Sequence, residues 1–360
     1  MFIMTGSRGV RGRKNPKTSL AALDVISKLT SFKNIAGRAG GFEVAQRGTS
    51  IAVAASVTVY TLDGWYLTSG ATQASTVAQI TGITDGSVNA VKVTRNSAQT
   101  GTTVMRFAMP LDTDELAKLR NKSVMLSFTV KAGANWSPAS GTLNYTLYTG
   151  TGAVGKRNAT GYTTEATPVT GSINLVASGV AQVVIGAISA VISAATTQAE
   201  IQFNWTPVGT AGADDSVTFD DVQLEIVPNG TIVATPVFER TDYSLDLMRC
   251  QRFAWRVGGV SAFDIIAQGY STTTGSAALI QMPVPMRSIP TLTVTGATLF
   301  TFTDGVVNLS TSAIALDTGV SNRTDQVAVV FTTAATTAGR GNRVYTNNST
   351  SAYLVFSSEI

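Results

Sequence analysis

From residue 41 onward, β-branched and aromatic residues alternate with Thr and Ser, and Gly, Asn and Asp break the runs. A period of two predicts strands. The candidates are residues 50–60, 88–95, 102–109, 123–130, 141–148, 182–192, 199–205 and 216–227, with later ones at 327–332 and 352–357. Many short strands with few helical periods argue for an all-β sandwich. Helical spacing surfaces in three places. After Ser19, Leu20, Leu23, Ile26, Leu29 and Phe32 recur every third residue and predict a helix over 19–33. Residues 112–119 open on acids, and Lys118 and Arg120 close them, as the helix dipole favours. Residues 242–252 would place Leu245, Met248 and Arg252 on one side of a helix. Residues 281–290 read as a Pro-punctuated strand or sheet edge. The uncharged stretch 176–195 is long enough for a membrane span. It lacks flanking Lys, Arg, Trp and Tyr anchors, so it predicts buried strands around a turn at Gly186 or Ser189 instead.

These changes of texture divide the chain into an arm (1–40), a first β domain (41–228), a connector (229–254) and a smaller β domain (255–360). Charge sharpens the first boundary. Residues 1–40 hold eight of the 26 Lys and Arg but one of the 22 Asp and Glu, so the body is slightly acidic. A basic arm with an apolar stripe predicts docking on another protein through Arg8, Arg11, Arg13, Lys14, Leu20, Leu23, Ile26 and Leu29. No aromatics interleave with its cations, which argues against nucleic acid as the partner. The first residues have no apolar run of the kind a secretory signal needs.

Composition narrows the chemistry. There is no His in 360 residues, which excludes imidazole bases and nucleophile triads. The single Cys250 excludes an internal disulfide and thiolate metal clusters. Charged residues are 13% of the chain, about half the usual ~25%. Carboxylates, Lys, Tyr and hydroxyls remain, so binding or structure is favoured over catalysis, no enzyme activity is expected and no cofactor is required.

Several stretches resemble one family. GFEVAQRGTS (41–50) followed by LDGWY (62–66) is similar to the opening of a domain in bacteriophage tail-fibre-type virion proteins. FNWTPVGTAGADDSVTFDDVQLE (203–225) resembles the closing strands of that domain, and TPVFERTDYSLDLMRCQR (235–252) its connector. QMPVPMRSIPT (281–291) and YLVFSSEI (353–360) resemble the small β domain that ends many such fibres. The resemblance implies a jelly-roll β-sandwich similar to carbohydrate-binding modules, followed by a C-terminal β tip. It also implies a homotrimer made in the host cytoplasm and carried on the virion, attached to other virion proteins by its arm. Its expected work is host attachment through a bacterial surface glycan without bond chemistry. The alternative is a purely structural virion part, such as a head fibre, collar or decoration protein. A depolymerase is a third reading.

Within that frame, sugar rings would stack on exposed aromatics. Trp136 sits among Gly133, Asn135 and Pro138 and is expected in a surface loop. Tyr145 and Tyr148 are three apart on one strand, so they face opposite sides and only one can join a binding face. Trp65 and Trp205 are expected in the core, and Tyr270 or Tyr345 would serve if the tip binds instead. The resemblance further implies a structural Ca²⁺ between Glu43 and Asp221. The pairs Asp214–Asp215 and Asp220–Asp221 otherwise read as solvated turns and strand edges, or as a glycosidase pair across a cleft. Cys250 reads as a small packed apolar side chain.

Overall fold

The computed structural model describes residues 34–35, 39–157, 160–227 and 236–360. The expected anchoring helix and arm, with Arg8, Arg11, Arg13, Lys14, Leu20, Leu23, Ile26 and Leu29, lie outside the described residues. Twelve strands make the first β unit. They are β1 (Ser50–Val53), β2 (Thr58–Tyr60), β3 (Tyr66–Thr68), β4 (Ser75–Thr81), β5 (Asn89–Arg95) and β6 (Met105–Pro110). After helix α1 (Thr113–Leu119) come β7 (Val124–Ala132), β8 (Thr142–Gly150), β9 (Ala166–Asn174), β10 (Gln182–Ile185), β11 (Gln198–Trp205) and β12 (Asp215–Ile226). They form two antiparallel six-stranded sheets, β1-β4-β5-β12-β7-β10 and β2-β3-β6-β11-β8-β9. The fold is the expected all-β jelly-roll sandwich.

The period of two explains the layering. On β11, Ala199, Ile201, Phe203 and Trp205 face the core, and Gln198, Glu200, Gln202 and Asn204 alternate with them. Strand β12 inverts its parity midway: Val217 and Phe219 are core residues, and so are Val222 and Leu224. A β-bulge between Asp220 and Gln223, with Asp221 at φ +51°, absorbs the extra residue and keeps both halves apolar side in. Between the sheets Trp65 stacks on Phe107 (4.7 Å), Phe107 on Phe219 (5.6 Å) and Phe219 on Phe203 (4.4 Å). The sandwich also reaches back before residue 41. Ile35 and Ala39 lie in its core, and Trp65 Nε1 donates to the Ala39 carbonyl.

The second β unit follows helix α2 (Tyr243–Gln251), which Asp242 caps. Its strands are β13 (Ala254–Gly258), β14 (Ile265–Thr272), β15 (Gly275–Gln281), β16 (Thr291–Val294) and β17 (Phe300–Thr303). The rest are β18 (Asn308–Ser310), β19 (Ala313–Leu316), β20 (Gln326–Thr332), β21 (Gly341–Thr346) and β22 (Tyr353–Ser357). Sheet β13-β22-β16 packs with sheet β18-β17-β21-β14-β15-β20-β19 around a separate core that includes Phe300, Phe331, Val344 and Phe356.

Four local expectations change. Residues 50–60 split into β1 and β2 around Ser56, whose φ of +61° cannot continue a strand. In 176–195 only Gln182–Ile185 is a strand; it lies at a sheet edge, so Val184 is buried while Val183 and Ile185 are exposed. Residues 282–290 are not a strand, because Pro283, Pro285 and Pro290 have no N–H for a ladder. Helix α2 buries Asp246 and Cys250, whereas Met248 on the expected stripe is exposed. Among the described residues no helix is long and apolar enough to cross a membrane.

Candidate functional site

The side of sheet β2-β3-β6-β11-β8-β9 that turns away from the core is polar and aromatic, but the protein covers it itself. Glu200 is fully buried there. Its carboxylate accepts from the Tyr66 hydroxyl (2.7 Å), the Arg157 amide (3.0 Å) and Gln202 Nε2 (3.1 Å). Burial pushes its pKa up to about 7, against the lowering effect of those donors. The loop after β8 returns across the face. The Lys156 ammonium lies 4.5 Å from the Tyr60 ring centre, and the Arg157 guanidinium 3.7 Å from that of Tyr148. Glu165 holds Arg157 with two bonds of 2.7 Å.

That arrangement corrects the sugar platform read from the sequence. Tyr148 does face outward, but Arg157 occupies its ring face. Tyr145 faces the core, edge-on to Phe128 at 5.2 Å. Trp136 is 8% exposed; it packs 5.8 Å from Trp205 and donates from Nε1 to the Gly141 carbonyl (2.9 Å). Its loop is pinned by long-range bonds. The Asn135 amide donates to the Asp214 carbonyl, and the Ser137 amide to Asp215 Oδ1. Beneath it, Arg95 and Asp215 form a buried ion pair at 2.7 Å.

Glu43 and Asp221 do not suit a calcium ion. Asp221 takes a hydrogen bond from Thr84 (2.7 Å) and pairs with the Arg240 guanidinium (3.1 Å), a cation where calcium would need oxygen ligands. Glu43 acts instead on Asp246, helping burial to push that carboxyl up to about 6. Among the described residues no group of three or more acidic or thiol side chains gathers as for a metal.

Residues from five of the stretches that carry the family resemblance, 41–50, 62–66, 235–252, 281–291 and 353–360, take part in the seam between the two β units. Gln46 donates to Asp63 from its amide (2.7 Å) and from Nε2 (2.8 Å), and also to the Ala254 carbonyl (2.6 Å). Arg47 pairs with Glu359 at 3.1 Å and lies 3.9 Å from Asp63. Arg287 donates to the carbonyls of Ser358 (3.0 Å) and Glu359 (3.2 Å). Arg252 pairs with Asp114 at 2.8 Å and Asp112 at 3.4 Å, bringing the connector onto α1. These residues are a clasp, and burial pushes Asp63 up to about 6 against the field of Arg47.

Three buried carboxyls with raised pKa set a pH dependence. Asp63, Asp246 and Glu200 bind protons in the folded chain near pH 6–7, whereas their unfolded values are 3.8 and 4.5. Across that window the folded state holds more protons, so stability falls as pH rises. Glu165 and Asp214 have pKa lowered by Arg157 and Lys92, so their contribution is fully present above the unfolded values of 4.5 and 3.8 and is lost only on further acidification. The thermal midpoint should be higher at pH 5 than at pH 8 by roughly 5 °C or more. Scanning fluorimetry across this range checks it; a midpoint climbing steadily to pH 8 contradicts it.

The second β unit holds an open cleft of about 490 Å³ on the outer face of its seven-stranded sheet. Tyr270 on β14 is 60% exposed in it. Its cross-strand neighbours are Ala277 and Gly341, too small to cover the ring. Leu279 extends the apolar floor, and Gln268, Asp317, Arg323 and Gln326 supply polar groups. The wall at 317–325 is braced. Asn322 Nδ2 donates to the Asp317 carbonyl (2.9 Å), and the Ala328 amide donates to Asn322 Oδ1 (2.8 Å). Arg323 is held by Asp325 at 2.9 and 2.6 Å. Tyr345, the other tip aromatic, is half-buried near Phe263.

No family model and no curated protein matches the sequence. Among solved structures, the chain is similar to one described as CBM4 structure and function, at 18% identity over 42% of this chain and 78% of that one, with a TM-score of 0.26. It is also similar to carbohydrate-binding modules from the beta-sandwich superfamily, at 10% identity over 46% of this chain and 58% of that one, with a TM-score of 0.33. A third is the enzymatically active domain of tailspike protein 4 of bacteriophage CBA120, at 12% identity over 46% of this chain and 19% of that one, with a TM-score of 0.30. The match spans less than two thirds of the last two structures.

Proposed function

We propose that the chain is a non-enzymatic phage virion adhesin that holds a bacterial surface polysaccharide in the cleft around Tyr270. The observation that carries this reading is an exposed aromatic ring in a cleft rimmed by amides and charged groups. Sugars offer an apolar C–H face for stacking and hydroxyl edges for such groups. The virion setting is supported by the ordered resemblance of residues 41–66, 203–252, 281–291 and 353–360 to tail-fibre-type proteins. Binding without cleavage is supported by the lining: Asp317 is the one carboxylate around Tyr270, and in the adjoining clefts Asp325 is paired with Arg323 and the Asp304 side chain is buried, whereas glycoside hydrolysis uses two carboxyls across the bond.

Tyr270→Ala should lower binding to immobilised bacterial polysaccharide about tenfold or more, equivalent to ~1.4 kcal/mol. Its melting midpoint should stay within about 1 °C of the parent, since an exposed ring adds little to the core. Unchanged binding would reject the cleft as the site, and no binding by the parent chain would favour a purely structural virion part. Release of reducing ends would make the protein a depolymerase.

A further inference from the structure

The Tyr270 cleft is the middle of three. A cleft of about 480 Å³ adjoins it, lined by Thr303, Asp304 and Arg343, and shares Gln268 and Gly269 with it. On the other side a cleft of about 440 Å³, with Pro285, Ile289 and Asn322, shares Arg323. Shared walls make the three one groove that runs across the strands from β17 and β21 over β14 and β15 to β20. Four strand spacings are about 19 Å, the length of several sugar rings. We infer that this groove takes an extended stretch of a linear polysaccharide, with a central ring on Tyr270 and further sugars in both flanking clefts. The inference rests on the glycan reading and names the form of the ligand.

The chemistry is graded along the groove as such a chain needs. Tyr270 and Leu279 give an exposed apolar floor in the middle. Toward β21, Gln268 and Arg343 sit side by side on neighbouring strands. Neither side chain has a hydrogen-bond or ion-pair partner among the described residues, which leaves an amide and a guanidinium for hydroxyls or a sugar carboxylate. Toward β20 the polar groups are the braced Asn322 and Arg323 beside the exposed Ile289. The far end by β17 is braced too, because Asp304 Oδ1 accepts from the amides of Val306 (3.0 Å) and Val307 (2.9 Å). Walls fixed before binding reduce the ordering cost of holding a long, flexible chain.

The test uses the full-length chain and size-fractionated fragments, from disaccharide to decasaccharide, of a linear bacterial capsular polysaccharide that it binds. Calorimetry should show affinity rising at least tenfold from disaccharide to hexasaccharide, then levelling. Arg343→Gln should lower hexasaccharide affinity several-fold and leave the disaccharide unchanged, with an unaltered melting midpoint. Equal affinity for disaccharide and hexasaccharide, both abolished by Tyr270→Ala, would overturn the extended groove and leave the Tyr270 reading standing. Binding insensitive to Tyr270→Ala, or no binding to any polysaccharide tried, would overturn both.

Discussion

Replacing Arg47 with alanine should destabilise the protein by about 3–5 kcal/mol and separate its unfolding into two transitions. Arg47 is the seam cation that faces Glu359 and Asp63, whose side chains are 6% and 1% exposed. Without it, Glu359 loses its ion-pair partner and keeps only the field of the half-buried Lys156. Asp63 keeps its bonds from Gln46 but loses the field that holds its proton affinity down. An uncompensated buried charge costs more than a surface pair is worth. The two β units have separate apolar cores, so a weakened seam lets each melt by itself. Two refinements follow from the same physics. Glu359→Gln added to the first change should recover part of the loss, because it removes the orphaned charge. The variant should also gain more from pH 5 than the parent, because Asp63 is then protonated. Differential scanning calorimetry reads all three; a single transition at the parental midpoint would show that the seam is not held electrostatically.

The seam also shows what the sequence made legible. Gln46, Arg47, Asp63, Arg252, Arg287 and Glu359 all lie in the stretches that resemble tail-fibre-type proteins, yet none was singled out as interacting. Their partners are 17 to more than 300 residues away, and short motifs do not announce which charges will meet. Local rules fared better. The acids of 112–115 form a capping box at α1, with Asp112 and Glu115 in reciprocal bonds. The alternation at 327–332 is strand β20, with Val327, Val329 and Phe331 inside. Strands β4 and β9 escape a period-of-two reading because Thr, Ser, Gln and Gly dilute their pattern (STVAQIT and ATPVTGSIN). The tip cleft was legible only as a lone Tyr270. Its lining comes from β14, β15, β20 and the 317–323 wall, which are brought together by sheet order and not by any local signal.

Trp136→Ala should cost about 3–5 kcal/mol of stability and leave polysaccharide binding by the folded fraction unchanged. Flanking Gly, Asn and Pro suggest an exposed loop, and an exposed Trp would behave in the opposite way. The decisive feature is the pair Asp214–Asp215, which reads in sequence as a solvated turn. Asp214 instead takes the Ala134 amide (3.0 Å), and Asp215 takes the Ser137 amide (3.1 Å) and hydroxyl (2.9 Å), folding the loop down on the sandwich end. The indole then closes over Trp205 and donates to Gly141. Alanine removes a large buried ring, leaves a cavity and takes away one of the two hydrogen bonds to the Gly141 carbonyl, which still accepts from the Leu175 amide. Trp136→Phe keeps most of the ring and should lose much less, on the order of 1 kcal/mol for the missing hydrogen bond beyond its change in volume. Urea denaturation of the two variants, with binding measured where both remain folded, separates packing from recognition. Alanine with parental stability and abolished binding would place the Trp136 ring against the sugar and move the site from the tip to the sandwich.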